Sequence, residues 1–314
     1  MPKSYAVKAP RGANVKRRAT AQVLEQGQLN AIKRAAIVAM FADDELMDIL
    51  VLKGGNAMDI VHQVNSRASV DLDFSMQGDL DLPATQQKLA RALQSTFSLH
   101  GLHAFDIKMT ERPGQMPEDL ALFWGGYLVE FKLISEERAA EVDHDIETMR
   151  REAIVLGEGS KFTIDISRHE YVENKEHHEL DGYTIYVYSP EMIVCEKLRA
   201  ICQQMPEYGA IVKREHRPSG TQRARDFIDI EALIHMFGID LASSRTQETI
   251  RQMFAAKRVP TDLLFRIQET RDFHALGYEE VRAAMRPGVQ VHPFDHYFDF
   301  VLQAIEKLEP LRHE

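Results

Sequence analysis

Cysteine is scarce in this sequence of 314 residues, and the two that occur are Cys195 and Cys202. The surrounding pattern predicts one helix across both, in which this spacing places the two Cα atoms about 10 Å apart. A disulfide needs a separation below about 7 Å, so we expect two free thiols. Apolar runs near the roughly 18 residues that would span a bilayer are also missing, as is a signal-peptide core. We therefore expect a reduced, cytoplasmic protein that does not contact a membrane.

Basic residues are outnumbered by acidic ones. The chain carries 38 Lys and Arg against 48 Asp and Glu, and its formal net charge is −10. This balance excludes a uniformly basic surface that coats a nucleic acid, although it does not exclude local basic patches. Residues 1–18 contain six basic side chains and no acid, and they lack any apolar period. We interpret them as a basic, mobile arm, either simply solvated or in contact with nucleic acid.

Several catalytic signatures are missing as well. The two cysteines form no Cys-x-x-Cys pair, and we predict no zinc site from the sequence. There is no Gly-x-Ser-x-Gly nucleophile elbow and no lysine placed after glycines as in a phosphate-binding P-loop. Serine hydrolases and P-loop enzymes are therefore disfavoured.

The hydrophobic pattern changes near residue 189. Before that point, strands are predicted over residues 48–52, 70–74, 104–110, 127–134, 162–166 and 183–188, and helices over 20–41, 56–64 and 83–97. Residues 135–159 are mostly charged and are interpreted as an insertion on the rim of the sheet. Later helices are predicted over 190–204, 224–237, 246–256, 279–285 and 294–308. We predict an arm over 1–18, an α/β domain over 19–189 and a helical domain over 190–314.

Two carboxylates stand out in the second predicted strand. Residues two apart in a strand point to the same face, so Asp71 and Asp73 are predicted to project together. Paired carboxylates suit Mg²⁺, which prefers oxygen ligands and keeps positions open for substrate phosphates. Such pairs also occur in exposed turns, so the spacing alone is weak evidence for a catalytic site.

A glycine-rich turn precedes this pair. Gly54, Gly55 and Asn56 lie between a predicted strand and a predicted helix, where backbone N–H groups can cradle a triphosphate. The alternative is that the glycines only make a tight turn. Together, the two motifs favour a phosphate-transfer site.

Lys197 lies within the apolar stripe of a later predicted helix, close to Ile193 and Val194. An inward-facing ammonium needs an anion or a route to water, because an unpaired buried charge is unfavourable. Its partner is either a nucleotide phosphate or a protein carboxylate such as Glu196.

Three segments resemble the motifs of the AbiEii/AbiGii nucleotidyltransferase toxin family, which is MenT-like and belongs to the DNA-polymerase-β-like superfamily. They are residues 51–74, with Lys53-Gly54-Gly55-Asn56, Arg67, Ser69 and Asp71-Leu72-Asp73; residues 189–200, around Lys197; and residues 223–229, with Asp226 and Asp229. The family usually has Thr at the position of Asn56. Both side chains can hydrogen-bond a phosphate, so the change is compatible with the motif.

The resemblance implies a polymerase-β-like mixed α/β sheet flanked by helices and followed by an α-helical C-terminal domain. It implies transfer of a nucleotide from a nucleoside triphosphate (NTP) with Mg²⁺ or Mn²⁺, onto RNA, with the 3′ end of tRNA as the expected acceptor. It also implies a cognate antitoxin protein. Asp71, Asp73 and a third carboxylate would hold the metal; Lys197 and Asp226 would act at the nucleotide. The alternatives are a small-molecule acceptor, as in antibiotic-modifying enzymes, or a non-catalytic nucleotide-binding or antitoxin-like module.

The third carboxylate has two candidates. Asp165 matches the strand where the resemblance places this acid, and it is flanked by Ile164 and Ile166, which makes it hard to explain as part of a solvated face. Glu130, in the preceding predicted strand, is the alternative. Asp226 and Asp229 share one helix face and bind near the nucleotide in the implied site; otherwise they form ordinary ion pairs.

Basic clusters are the predicted RNA contacts. The residues assigned to them are Lys16, Arg17 and Arg18 of the arm and Lys213, Arg214, Arg217 and Arg225 of a later loop. Clustered Lys and Arg contact phosphates in nucleic-acid-binding proteins. A solvated loop is the equally supported alternative.

Overall fold

A computed structural model describes residues 26–64, 71–155, 159–213, 220–285, 288, 290–308 and 311. The strands are β1 (Val51–Lys53), β2 (Leu72–Ser75), β3 (Leu102–Arg112), β4 (Gly126–Ser135), β5 (Phe162–Ser167), β6 (Glu176–Leu180) and β7 (Tyr183–Val187). The helices before β7 are α1 (Gln26–Phe41), α2 (Asp44–Ile49), α3 (Gly54–Asn56), α4 (Leu82–Ser98), α5 (Glu118–Ala121), α6 (Glu136–Glu141) and α7 (Ile146–Glu152), with a π-helical turn at Ala57–Val61.

The chain after β7 is helical throughout its described part. It contains α8 (Pro190–Cys202), α9 (Pro206–Ile211), α10 (Ala224–Phe237), α11 (Ser244–Ala256), α12 (Arg271–Ala275), α13 (Tyr278–Ala283) and α14 (Phe294–Glu306), with a 3₁₀ helix at Thr261–Thr270. Ser189 caps α8 by accepting a hydrogen bond from the Met192 backbone N–H, and Pro190 occupies its first turn.

The strands form one mixed sheet in the order β3-β4-β5-β2-β1-β7-β6. β2 lies parallel to β5 and antiparallel to β1, while β1 lies parallel to β7. All three residues of β1 are buried, as expected of a strand in the middle of a sheet. The predicted mixed sheet flanked by helices is confirmed.

One apolar cluster runs through both halves of the chain. It joins sheet residues such as Leu52 and Phe74 to Leu198 on α8 and Phe227 on α10, all of which are fully buried. α8 contacts α10 and α11, and α1 contacts α4. The division near residue 189 remains a prediction, and the two parts that it separates share this core. Within the described residues, no helix is long and apolar enough to cross a bilayer.

Three local predictions need correction. The run 48–52 is not one strand: Asp43 accepts hydrogen bonds from the Glu45 and Leu46 backbone N–H groups and caps α2, so β1 begins only at Val51. The predicted helix over 56–64 is a short α-helical turn followed by a π-helical turn. β6 was not predicted, because its sequence Glu-His-His-Glu-Leu lacks the apolar residues typical of strands.

Candidate active site

Strand register brings the predicted acids together. Asp73 on β2 is the register partner of Lys53 on β1 and of Asp165 on β5. Directly paired residues of neighbouring strands point to the same face, so all three side chains project from one side of the sheet. Asp71 lies in the bend immediately before β2. This face therefore presents three carboxylates and one ammonium.

These side chains open into a cavity of 540 Å³. Its acidic lining residues are Asp71, Asp73, Asp165, Glu170, Glu196 and Asp226, and its basic ones are Lys53, Arg112, Lys197, Arg199, Arg223, Arg225 and Lys257. Gly54, Gly55 and Trp124 also line it. The cavity is therefore not acidic, although the chain as a whole carries a net charge of −10.

Gly54 is required where it lies. Its φ is +68°, a left-handed conformation, and a Cβ atom there would come within 2.6 Å of the Asp73 Oδ2 atom. A side chain would therefore collide with the central carboxylate of the site. Gly55 continues the same turn and lines the cavity.

Asn56 contacts the backbone of Asp71. Its amide Nδ2 donates to the backbone carbonyl of Asp71, and the side chain is fully buried. Its Oδ1 atom has no hydrogen-bond partner among the described residues, and Asn56 is not part of the cavity lining. The contact fixes the bend that carries Asp71.

The carboxylates of Asp71, Asp73 and Asp165 have no hydrogen bond or ion pair within the described part of the chain. Burial raises the pKa of Asp73 to about 6, and Glu196, Asp165 and Asp71 add to the shift although Lys53 opposes it. Burial also raises the pKa of Asp165, against the nearby Arg112. Burial, and then the grouped like charges, thus make ionisation of these two acids unfavourable.

The donor set fits a hard divalent cation. Carboxylate oxygens are the ligands that Mg²⁺ and Mn²⁺ prefer, and the cavity leaves space for phosphate oxygens beside them. The three acids are not close enough for one oxygen of each to lie within 4.8 Å of the other two. A bound cation would attract the three carboxylates and reduce this spread.

Lys53 is held by acids on two other elements. Its Nζ atom lies 2.7 Å from Glu196 Oε1 on α8, 3.1 Å from Ser167 Oγ on β5 and 3.8 Å from Glu170 Oε1. Burial lowers the pKa of Lys53, but the two glutamates outweigh burial and hold it above its usual value. Lys53 therefore stays charged beside Asp73.

Glu170 is the centre of a buried ion network. It receives a hydrogen bond of 2.7 Å from Arg199 Nη1, and Lys257 Nζ lies 3.4 Å from its other oxygen. Burial raises the pKa of Glu170, but Arg199, Lys257 and Lys53 together hold it well below its usual value. Burial lowers the pKa of Lys257 to about 8. The neighbouring cations Arg199 and Lys53 add to this shift, and Glu170 opposes it.

Lys197 on α8 binds two aspartates of α10. Its Nζ atom lies 2.9 Å from Asp226 Oδ1 and 2.7 Å from Asp229 Oδ2, and all three side chains are buried. Burial lowers the pKa of Lys197, but the two aspartates outweigh burial, hold the pKa above its usual value and keep the ammonium charged. Arg223 Nε lies 2.9 Å from the second oxygen of Asp226. The carboxylate partner of Lys197 is thus on α10, and Glu196 binds Lys53 instead.

The other predicted site residues are distributed differently. Glu130 is paired with Lys161 at 2.8 Å and does not line the cavity, whereas Asp165 does. Arg225 is exposed and lines the cavity, while Lys213 is exposed and paired with Asp119 at 2.7 Å. The remaining predicted contacts lie outside the described residues: Arg67, Ser69, Lys16, Arg17, Arg18, Arg214 and Arg217.

Sequence reasoning missed Glu170, Arg199, Lys257 and Arg112 as site residues. Each comes from a different element or loop, and no local spacing connects them. A weak signal was present at Arg199, which follows Lys197 by two positions in a mostly apolar helix. Charged residues in such a setting are rarely buried without partners.

Comparison with known proteins gives one match of family level. Residues 36–304 match the profile of the family described as nucleotidyl transferase AbiEii toxin, type IV toxin–antitoxin system. A comparison with curated proteins found no significant match.

Similar solved structures include a candidate nucleotidyltransferase of H. pylori, with 18% identity, a TM-score of 0.46, and coverage of 93% of this chain and 100% of that one. MenT4, a nucleotidyltransferase toxin of Mycobacterium tuberculosis H37Rv, has 12% identity, a TM-score of 0.44, and coverage of 90% and 83%. An antigenic nucleotidyltransferase-like protein of Paracoccidioides brasiliensis has 13% identity, a TM-score of 0.35, and coverage of 77% and 94%.

Proposed function

Since the chain belongs to the AbiEii nucleotidyltransferase toxin family, we propose that it transfers a nucleoside monophosphate from an NTP to the 3′ end of tRNA in a Mg²⁺-dependent reaction. The observation that carries this proposal is the register that sets Asp73 beside Asp165 at a cavity also lined by Asp71 and Gly54. Membership in a toxin family of type IV systems also supports a cognate antitoxin as the protein partner.

Asp71, Asp73 and Asp165 would hold the divalent cations, which when bound polarise phosphate oxygens and favour ionisation of the attacking hydroxyl. The chemistry is an in-line displacement: the acceptor hydroxyl oxygen bonds to the α-phosphorus, the bond to the bridging oxygen breaks, and pyrophosphate leaves. Asp165 would accept a hydrogen bond or the proton from the acceptor hydroxyl, since its carboxylate lines the cavity beside Asp73.

The triphosphate would bind the basic side chains of the cavity. Lys53, Lys197 and Arg199 line the cavity and are charged, and Gly54 and Gly55 allow close approach of the backbone. Negative charge moves toward the leaving pyrophosphate during transfer, so fixed cations there stabilise the transition state more than the bound substrate.

A polyanionic acceptor is supported by the charge of the cavity. A closed and mostly acidic pocket would favour a small, cationic acceptor such as an aminoglycoside-type molecule. The observed lining instead mixes acids with Arg112, Arg223 and Arg225 in a chain of net charge −10. Local cations within about 8 Å of a phosphate can offset the repulsion by the rest of the surface.

The proposal is tested by incubating the protein with α-labelled NTPs, each in turn, with Mg²⁺ and total tRNA. We expect label on tRNA with at least one NTP, and no label when Mg²⁺ is removed with EDTA. Deleting residues 1–18, or neutralising Lys213 and Arg225, should weaken tRNA binding and flatten its salt dependence by about 0.7 to 0.9 in slope per lost phosphate contact. Label on a small molecule but on no RNA would replace the tRNA acceptor with a small-molecule acceptor.

A further inference from the structure

An edge strand carries polar side chains on its inward face. β6 ends the sheet, and its register pairs Glu176 with Val187 and His178 with Ile185. Val187 and Ile185 are fully buried, and directly paired residues share a face, so Glu176 and His178 point to the side of the sheet that covers the core. Hydrophobic residues are expected at such positions, and their replacement needs an explanation.

His62 meets these two side chains from another part of the fold. It follows the π-helical turn at Ala57–Val61, and its ring lies 5.5 Å from the ring of His178 at an angle of 88°. One ligand atom of each of His62, Glu176 and His178 lies within 4.8 Å of the other two. Within the described residues, no other group of three such side chains meets this distance.

A backbone contact orients His62 for coordination. Its Nε2 atom lies 2.7 Å from the carbonyl oxygen of Tyr188, so Nε2 carries the proton and donates it there. The Nδ1 lone pair is then available to a metal ion. An imidazole that donates its second nitrogen to a carbonyl is the usual arrangement of a metal-bound histidine, because the contact fixes both tautomer and ring orientation.

We propose that His62, Glu176 and His178 bind one divalent transition-metal ion of the zinc class. Two imidazoles and one carboxylate match the donors that Zn²⁺ and Co²⁺ prefer, and differ from the all-carboxylate set at Asp71, Asp73 and Asp165. None of the three residues lines the cavity. Glu176 is exposed and both histidines are half-buried, so an ion can reach the site and keep water as a fourth ligand.

The ion would connect two parts of the fold. It would join the edge strand β6 to the end of the helical segment that begins at Gly54, the glycine beside Asp73. Binding to the folded state alone raises its stability, so metal binding should be visible in thermal unfolding. Without a metal, Glu176 and His178 are paired at 3.3 Å and only protect the sheet edge from pairing with other chains.

The test uses the full chain without a histidine tag. Zn²⁺ binding is measured by equilibrium dialysis, and Co²⁺ binding by its visible absorption, for the wild type, His62→Ala, His178→Ala and Glu176→Gln. His177→Ala is the matched control, because His177 is exposed and pairs with Tyr186 on the opposite face of β6. We expect one ion per chain for the wild type and the control. Dissociation constants should be at least ~10-fold higher for the three site variants, on the scale found when metal-site contacts are removed.

Thermal unfolding gives the second readout. Zn²⁺ should raise the Tm of the wild type and of His177→Ala, and it should raise the Tm of His62→Ala and Glu176→Gln by clearly less. Circular dichroism without metal checks that each variant is folded. Glu176→Gln should remain folded, because it changes an exposed side chain. The proposal is overturned if the wild type binds no stoichiometric Zn²⁺, or if the site variants bind it as the wild type does.

Discussion

Two groups of charges line the cavity, and they differ in how the protein neutralises them. The acidic edge consists of Asp71, Asp73 and Asp165 at neighbouring strands, without an ion pair in the described part of the chain. The buried ion network consists of Lys53, Glu170, Glu196, Arg199 and Lys257, in which every charged group has a partner of opposite sign within 4.0 Å. Every charge of the network thus has a protein partner, whereas the three acids of the edge have none in the described part of the chain.

This difference separates two effects that mutation usually mixes. Removing a charge from a buried, paired network leaves its partner uncompensated and destabilises the fold. Removing a charge from a cluster of like charges relieves repulsion, and it can leave the fold as stable as before or more so. The acidic edge should therefore be sensitive in activity, and the network should be sensitive in stability.

The largest expected effect is at the acidic edge. Asp71→Asn and Asp73→Asn each remove a charged metal ligand and keep the volume, so nucleotide transfer should fall ~10³-fold or more. Both variants should unfold at or above the temperature of the wild type at pH 7. The measurement is initial rate of label transfer together with thermal unfolding. Asp299→Asn, exposed on α14, is the control. An inactive variant that had also lost its fold would break the comparison.

The next prediction concerns which residue is the third carboxylate of the acidic edge. Asp165→Asn should reduce transfer by ~10² to 10³-fold, because its carboxylate lines the cavity beside Asp73. Glu130→Gln should leave the rate within about twofold and change stability by no more than about 1 kcal/mol, since it removes only its partly exposed pair with Lys161. Rate measurements on both variants decide the question. The reverse order of effects would identify Glu130 as the third carboxylate.

A substitution of Lys197 should affect both activity and stability. Lys197→Met removes the buried cation that Asp226 and Asp229 share, although Arg223 still contacts Asp226. The free energy of unfolding should fall by about 3 to 5 kcal/mol. The apparent KM for NTP should rise, because the ammonium also lines the cavity. Urea unfolding and steady-state kinetics measure the two effects, with the exposed Lys307→Met as control. A loss of stability without any change in KM or kcat would make Lys197 purely structural.

The smallest effect is a dependence of stability on pH. The pKa of Asp73 is raised to about 6 in the folded protein, above its usual range, so its ionised form opposes folding above pH 6. The penalty has an upper bound of about 3 kcal/mol and disappears as the folded state takes up the proton between pH 6 and pH 4. In EDTA, Asp73→Asn should therefore exceed the wild type in stability at pH 7.5 and approach it at pH 5. A difference that grows as the pH falls would contradict the raised pKa.

Local pattern predicted that Asp71 and Asp73 project together and that the chain turns at Gly54, because strand period and turn chemistry are local properties. The roles of these residues in metal and nucleotide binding stay predictions. The pairing of Asp73 with Asp165 could not, since it depends on the order of strands in the sheet.

The charged network was out of reach of sequence reasoning for a related reason. Glu170, Arg199 and Lys257 are isolated in the sequence, and only tertiary packing brings them together. The same holds for His62 and His178, which lie on distant segments and form no metal-binding spacing. Polar residues at buried positions become informative only when the fold shows which of them are neighbours.

The central claim is that the acidic edge, and not the buried ion network, is where the divalent metal ion binds. The most direct test is a Mn²⁺ titration followed by electron paramagnetic resonance, with non-hydrolysable analogues of the four NTPs in turn. The wild type and Asp299→Asn should bind Mn²⁺ with at least one analogue, and Asp71→Asn and Asp73→Asn should bind it at least ~10-fold more weakly. Equal Mn²⁺ affinity in all four proteins would contradict the claim and place the metal elsewhere.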